Sequence, residues 1–162
     1  MKISILGSRG IPASFGGFET CAEKLALYFL SQGHEVTVYN IGSHLLRDSE
    51  WCGICIRKIF SMENILGPLS AFVFDYLSLR DAVRRKEDII LELGYSPAAL
   101  FYFLNKKGRG KIVTNMAGME WQRSKWSPLA QKIIKRSEEI AVKKSHVLIA
   151  DNPAIKEYIL AC

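Results

Sequence analysis

Two stretches of this sequence carry residues that could bind or transform a polar ligand. The first is Gly7-Ser8-Arg9-Gly10-Ile11-Pro12-Ala13-Ser14-Phe15-Gly16-Gly17-Phe18-Glu19, which follows a short apolar run at residues 2–6 and opens an amphipathic segment. A strand, a glycine-rich turn and a helix in that order let backbone N–H groups approach a phosphate or sugar. The glycines at 7, 10, 16 and 17 admit close approach, Pro12 stiffens the middle, and Glu19 falls in the first helical turn, where its charge suits the dipole. The spacing is neither the dinucleotide G-x-G-x-x-G nor the P-loop pattern, and a plain tight turn in a Rossmann-like sheet would use the same glycines. The second stretch is residues 115–126, Asn-Met-Ala-Gly-Met-Glu-Trp-Gln-Arg-Ser-Lys-Trp. Trp121 and Trp126 flank Arg123 and Lys125, with Glu120 and Gln122 adding polar groups. Such a set could stack on a sugar ring and hold an anionic phosphate. The alternative is a packed loop in which Arg123 or Lys125 pairs with Glu120.

The elements that must position these loops follow from hydrophobic pattern and punctuation. Strands are expected at residues 2–6, 35–40, 52–60, 88–92, 111–115 and 146–150. Helices are expected at 18–32, closed by Gly33; at about 68–85, with Phe72, Leu79 and Val83 inward; at 98–104, capped by Ser96-Pro97 and closed by residues 105–108; at 128–144; and after Asp151-Asn152-Pro153. In the helix at 128–144, Leu129, Ile133 and Ile140 make the expected buried stripe, with Ala130, Ile134 and Ala141 beside it. Strands alternating with helices predict an α/β, Rossmann-like, mostly parallel sheet with helices on both faces. Both loops then lie at the carboxyl ends of strands, where ligands of open α/β sheets bind. Asn40, Glu92, Tyr95 and Ser96 share that edge; Glu92 could bind a sugar hydroxyl or cap a loop. His44, after the second strand, could reach a ligand but reads first as a solvent-facing loop residue, and His34 and His146 read as structural residues of the opposite edge.

The chain has 162 residues, 49% hydrophobic and 23% charged, which fits one ordinary globular domain spanning 1–162. The apolar start is too short for a signal peptide, and residues 66–79 are too short for a membrane span and are interrupted by Asp75, so a cytoplasmic protein is expected. The net charge of +6 gathers at residues 80–86, 106–111, 123–125 and 132–144. No zinc finger, recognition helix or aromatic stacking pattern accompanies it, so nucleic acid is not the expected partner. The basic helix at 128–144 could instead approach an anionic membrane. Cys52 and Cys55 form a Cys-x-x-Cys inside a strand-like run, and with Cys21 and Cys162 they read as free thiols. Three scattered histidines without partners at ligand spacing predict no metal site.

Taken together, residues 7–12 with Gly16-Gly17-Phe18-Glu19, residues 33–38 (Gly-His-Glu-Val-Thr-Val), residues 118–126 and Ala150-Asp151-Asn152-Pro153 resemble the N-terminal domain of bacterial GT-B glycosyltransferases of family 4. The likeness is strongest to the rhamnosyltransferase-like group of polysaccharide biosynthesis. It runs along all 162 residues and covers the first half of such an enzyme, which implies a C-terminal donor-binding domain beyond them. The resemblance implies transfer of a sugar, with rhamnose a candidate, from a nucleotide sugar to a lipid-linked saccharide at the inner face of the cell membrane, without cofactor or metal. By position, Gly16 and Gly17 would face the donor diphosphate and Glu19 would steady their loop. Met119, Glu120, Trp121, Arg123 and Lys125 would shape the cleft near the transferred sugar or its acceptor, with Glu120 as the candidate catalytic carboxylate. The pattern departs from the family at Ala117, where related sequences carry an acidic residue or histidine; a methyl group can neither accept a proton nor bond a hydroxyl. A different class, a non-catalytic sugar- or nucleotide-binding module or a partner subunit, would use the same loops.

Overall fold

The computed structural model describes residues 1–14, 16–61, 63–105 and 110–161, with 64 and 68 described in their backbone alone. Phe15, the expected helix closure at 106–108 and the Cys162 thiol lie outside the described residues. Seven strands, β1 (Lys2–Leu6), β2 (Glu35–Ile41), β3 (Glu50–Trp51), β4 (Ile54–Ile59), β5 (Ile89–Glu92), β6 (Lys111–Met116) and β7 (Val147–Ala150), form one sheet. Their order is β3-β4-β2-β1-β5-β6-β7, and every neighbouring pair is parallel except β3 with β4. The helices are α1 (Gly17–Ser31), α2 (Glu63–Leu66), α3 (Ser70–Arg84), α4 (Pro128–Lys144) and α5 (Pro153–Leu160), with 3-10 turns at Gly67–Leu69, Ala98–Asn105 and Glu120–Gln122.

Side-chain alternation sorts the core into two layers. Ile5, Val36, Val38, Ile54, Ile56 and Leu91 pack with Ala22 and Ala26 of α1, whose small side chains let that helix lie close on the sheet. On the other face Leu6, Tyr39, Ile90, Ile112 and Met116 meet α3, α4 and the Ala98–Asn105 turn. Each fully buried aliphatic side chain contributes roughly 1.5–3 kcal/mol. The expected Rossmann-like sheet with helices on both faces is therefore present. At the end of α1, Gly33 at φ +78° accepts the left-handed conformation. The N–H of His34 then bonds the Phe29 carbonyl at 3.1 Å and that of Gly33 the Leu30 carbonyl at 2.9 Å, the Schellman pattern.

Several local expectations are corrected. The run at 52–60 is not one strand: Cys52 (φ 50°) and Gly53 (φ 84°) form the two-residue turn of the β3–β4 hairpin, with Trp51 opposite Ile54. The Cys-x-x-Cys therefore lies across a hairpin turn, and Cys21, Cys52 and Cys55 are free. The segment after Ser96 is 3-10 rather than α-helical; its run is apolar all round, and tertiary bonds from Tyr102 Oη to Thr114 Oγ1 (2.7 Å) and from Asn105 Nδ2 to the Gly110 carbonyl (2.7 Å) pin it. The buried residues of α3 are Ser70, Phe74, Asp75, Ser78, Leu79 and Ala82, so Phe72 and Val83 flank the buried face instead of centring it. In α4 the buried residues are Ile134, Ser137, Glu138 and Ala141, while Leu129 is 70% exposed. The stripe is rotated because Glu138 turns inward to partners on other elements.

Candidate functional site

The strand order reverses at β1, whose two neighbours β2 and β5 lead the chain to opposite halves of the sheet. Between the carboxyl ends of β1 and β5, the position where open α/β sheets bind ligands, a cleft of about 380 Å³ opens. It is lined by residues 7–9 after β1, by Gly94 and Ser96 after β5, and by Phe18, Phe74 and Asp75 from α1 and α3.

The first wall is held rigidly from below. Asn40, fully buried in β2, accepts from the Ile11 N–H at 3.0 Å and donates to the Ile11 carbonyl at 2.7 Å. It also donates to His44 Nδ1 at 3.2 Å, and the Leu46 N–H donates to the same nitrogen at 3.1 Å. Two donors on Nδ1 assign the imidazole proton to Nε2, which donates to the Pro12 carbonyl at 3.3 Å. His44 is therefore a buried clamp, 6% exposed, and not the solvent-facing residue expected; burial holds its pKa below the usual histidine value. Glu19, 6% exposed, accepts from the Gly16 N–H at 2.9 Å and from the Arg9 N–H at 3.2 Å, so its carboxylate ties both ends of the loop together. Gly17 opens α1, and a Cβ added to it would meet nothing within 4 Å. Arg9 lines the cleft and pairs with Glu63 at 2.7 Å.

Two acids that sequence reasoning weighed lightly are buried at this edge of the sheet. Asp75 of α3 is 9% exposed and Glu92 at the end of β5 is 1% exposed. The register of Leu6 opposite Glu92 puts this carboxyl on the α3 face of the sheet. Burial pushes the Asp75 carboxyl up to about 7, against the Ala98 N–H bonded to it. Burial, and then the charge of Asp75, pushes Glu92 well above the usual carboxylate range. The signal for Asp75 was present: it is the single charged residue between Leu66 and Leu79.

The second loop stands beside the cleft. Its centre is Tyr95, 3% exposed, whose hydroxyl donates to the Gly118 carbonyl at 3.0 Å and accepts from the Glu120 N–H at 3.1 Å. Glu120 bonds Arg123 at 2.6 Å, lies 3.6 Å from Lys125 and accepts from Trp126 Nε1 at 3.4 Å. Lys125 sits 4.7 Å from the Trp126 ring centroid and Lys135 4.7 Å from that of Trp121. Lys135 also donates to Glu138 at 2.7 Å, and Glu138 accepts from Tyr158 at 2.6 Å, which fastens α4, α5 and the loop to one another. Met119 is 36% exposed. Of the candidate catalytic and ligand-binding residues, Glu19 lines the cleft, whereas Gly16, Gly17, Met119, Glu120, Trp121, Arg123 and Lys125 do not. Among the described residues, no cluster of three or more metal-ligating side chains occurs, and no helix is long and apolar enough to cross a membrane.

The family model described as "Domain of unknown function (DUF1972)" matches residues 1–161. The chain belongs to the DUF1972 family. No curated protein matches this DUF1972 sequence significantly. Its fold recurs in HepE from Anabaena, solved in complex with UDP and glucose, at TM-score 0.61 and 16% identity over 99% of this chain and 41% of that one. It recurs also in the UDP-GlcNAc 2-epimerase of Methanocaldococcus jannaschii (TM-score 0.59, 14% identity, 99% of this chain and 42% of that one). The UDP-N-acetylglucosamine 2-epimerase of Rickettsia bellii shares it too (TM-score 0.57, 13% identity, 98% and 40%). The DUF1972 chain thus spans about two fifths of the length of these structures.

Proposed function

We propose that this chain is the acceptor-side, Rossmann-like half of a GT-B glycosyltransferase that moves a sugar from a nucleotide sugar to a lipid-linked saccharide. The observation that carries the reading is the cleft between the β1 and β5 ends, walled by a braced glycine-rich loop, in a fold shared with a protein solved with UDP and glucose. In this reading the Gly17 amide at the start of α1 and the Arg9 guanidinium face the donor diphosphate, while Glu19 holds Gly16 and the loop in place. Met119, Trp121, Arg123 and Lys125 shape the rim near the acceptor, and Glu120 is the candidate catalytic carboxylate, fixed by Arg123 and Trp126. Without a metal, oriented amides and cations must stabilise the leaving diphosphate. A C-terminal domain of the whole enzyme would supply the rest of the donor site. Rhamnose is the candidate sugar, cell-surface polysaccharide the product class, and the cytoplasmic face of the membrane the place of action, reached through the basic side of α4.

The test is an NMR titration of the protein with UDP-glucose, UDP-N-acetylglucosamine, dTDP-rhamnose and a short polyprenyl-diphosphate-linked monosaccharide. Saturable shifts at residues 7–9, 16–19 and 94–96, with the acceptor analogue reaching 119–125, are expected. Absence of saturable shifts with every ligand would overturn the reading. The fold shared with the 2-epimerases favours a second reading, in which the nucleotide sugar is isomerised and no acceptor is used. A product formed from the nucleotide sugar alone, with no acceptor present, would decide for it.

A further inference from the structure

The buried acids of this protein fall into two groups. Glu138, 2% exposed, is matched by Lys135 and Tyr158, and Glu87, also 2% exposed, is matched by Arg85 at 2.9 Å. Glu19 has two backbone N–H donors. Glu92 has none of this: both of its carboxyl oxygens are buried without a hydrogen-bond partner among the described residues. Ser8 Oγ, which belongs to a residue lining the cleft, is also buried and unpartnered among the described residues. Leaving a buried polar group unsatisfied is strongly unfavourable, and an apolar residue of similar size would avoid it. The packing is nevertheless built around Glu92. Gly7 sits directly over it, so that a Cβ at position 7 would come 2.3 Å from Oε1.

Glu92 does not itself line the cleft; of these two carboxyl groups, the one that does is that of Asp75. Around it the walls are Phe74 and the half-exposed ring of Phe18, whose edge packs against Gly94. Burial raises the Asp75 carboxyl, burial and then the charge of Asp75 raise that of Glu92, and no ion pair to either occurs among the described residues, so a proton held there makes the floor a donor as well as an acceptor. That combination suits a neutral hydroxyl, which both donates and accepts, and disfavours a phosphate. Aromatic walls suit the apolar face of a pyranose.

We infer that Asp75 binds a hydroxyl of the sugar ring in the β1–β5 cleft, with Phe18 and Phe74 as the walls. The inference rests on the sugar-nucleotide reading of the cleft and adds a direction to it: the hexopyranose lies over Asp75, and the diphosphate lies toward Arg9 and the start of α1. Asp75 touches the ligand, whereas Glu92, which does not line the cleft, does not.

The protein is titrated with glucose, UDP and UDP-glucose, following backbone amides and the Asp75 carboxyl carbon by NMR. Glucose and UDP-glucose are expected to move the Asp75 carboxyl carbon, and UDP is not. Asp75→Ala is expected to weaken glucose and UDP-glucose by about fivefold and to leave UDP unchanged. Glu92→Gln, which keeps a neutral donor and acceptor of the same size, is expected to leave all three affinities within about twofold. Equal sugar affinity in folded Asp75→Ala and wild type, or a silent Asp75 carboxyl carbon while the loop amides shift, would overturn this inference and leave the wider reading standing. A tenfold loss with Glu92→Gln would overturn the neutral role of Glu92. If no ligand moves any wild-type signal, the sugar-nucleotide reading falls and this inference with it. The carboxyl-carbon measurement needs no variant, so it decides the matter even where Asp75→Ala does not fold.

Discussion

Gly10→Ala isolates the bracing of the glycine-rich loop. Gly10 has φ +121°, a conformation essentially reserved for glycine, and forcing a side chain into it costs about 1–3 kcal/mol. A Cβ there would also come 2.4 Å from Asn40 Oδ1 and Cγ. Asn40 is wholly buried and cannot swing into solvent, so it must give up its bonds to the Ile11 N–H and carbonyl. Two neutral hydrogen bonds lost in the interior add about 1–3 kcal/mol. Together the substitution is expected to destabilise by about 2–6 kcal/mol, a large part of the roughly 5–15 kcal/mol that holds a domain folded. Urea unfolding followed by circular dichroism measures it, with Gly17→Ala as the control. At Gly17 a Cβ has open space and begins a helix, so that change is expected to be neutral or to stabilise by up to about 1 kcal/mol. A loss below about 1 kcal/mol for Gly10→Ala would refute the claim that Asn40 and the loop backbone are locked together.

Tyr95→Phe removes the hydroxyl shared by the Gly118 carbonyl and the Glu120 N–H, and is expected to cost about 1–3 kcal/mol and to speed hydrogen exchange at the Glu120 amide; unchanged protection there would mean the second loop is held by other contacts. The pH dependence of stability should carry the signature of Asp75. Its carboxyl is pushed up to about 7 in the fold and releases its proton near 3.8 when unfolded, so between these values the folded state binds more protons and stability falls as pH rises. Melting temperatures across that window are expected to fall less steeply in Asp75→Asn than in wild type, and equal slopes would show that Asp75 is ionised in the fold.

Strand and helix alternation, the glycine-rich turn after β1, the Gly33 stop of α1 and the starts of α4 at Pro128 and of α5 after Asn152 were all legible, because each depends on a few residues in sequence. Periodicity of apolar residues and the conformational limits of glycine and proline act locally, so the chain itself determined an α/β sheet with two loops at the carboxyl edge. Charge misled where pairing was remote. Glu138 lies in the helix expected to be basic, yet Lys135 on that same helix, Tyr158 of α5 and Tyr95 after β5 make its burial tolerable. His44 read as exposed because nothing near it in sequence announces Asn40 and Pro12 as partners. Asp75 read only as a break in an apolar run, and Glu92 as a strand end that could bind a sugar hydroxyl or cap a loop, because the burial of both arises when α3 packs on the sheet. The sequence by itself determined which segments become strands and helices and which edge carries the loops. Only the tertiary structure decided which polar groups are matched and which are left unmatched, because pairing depends on which elements the fold brings together.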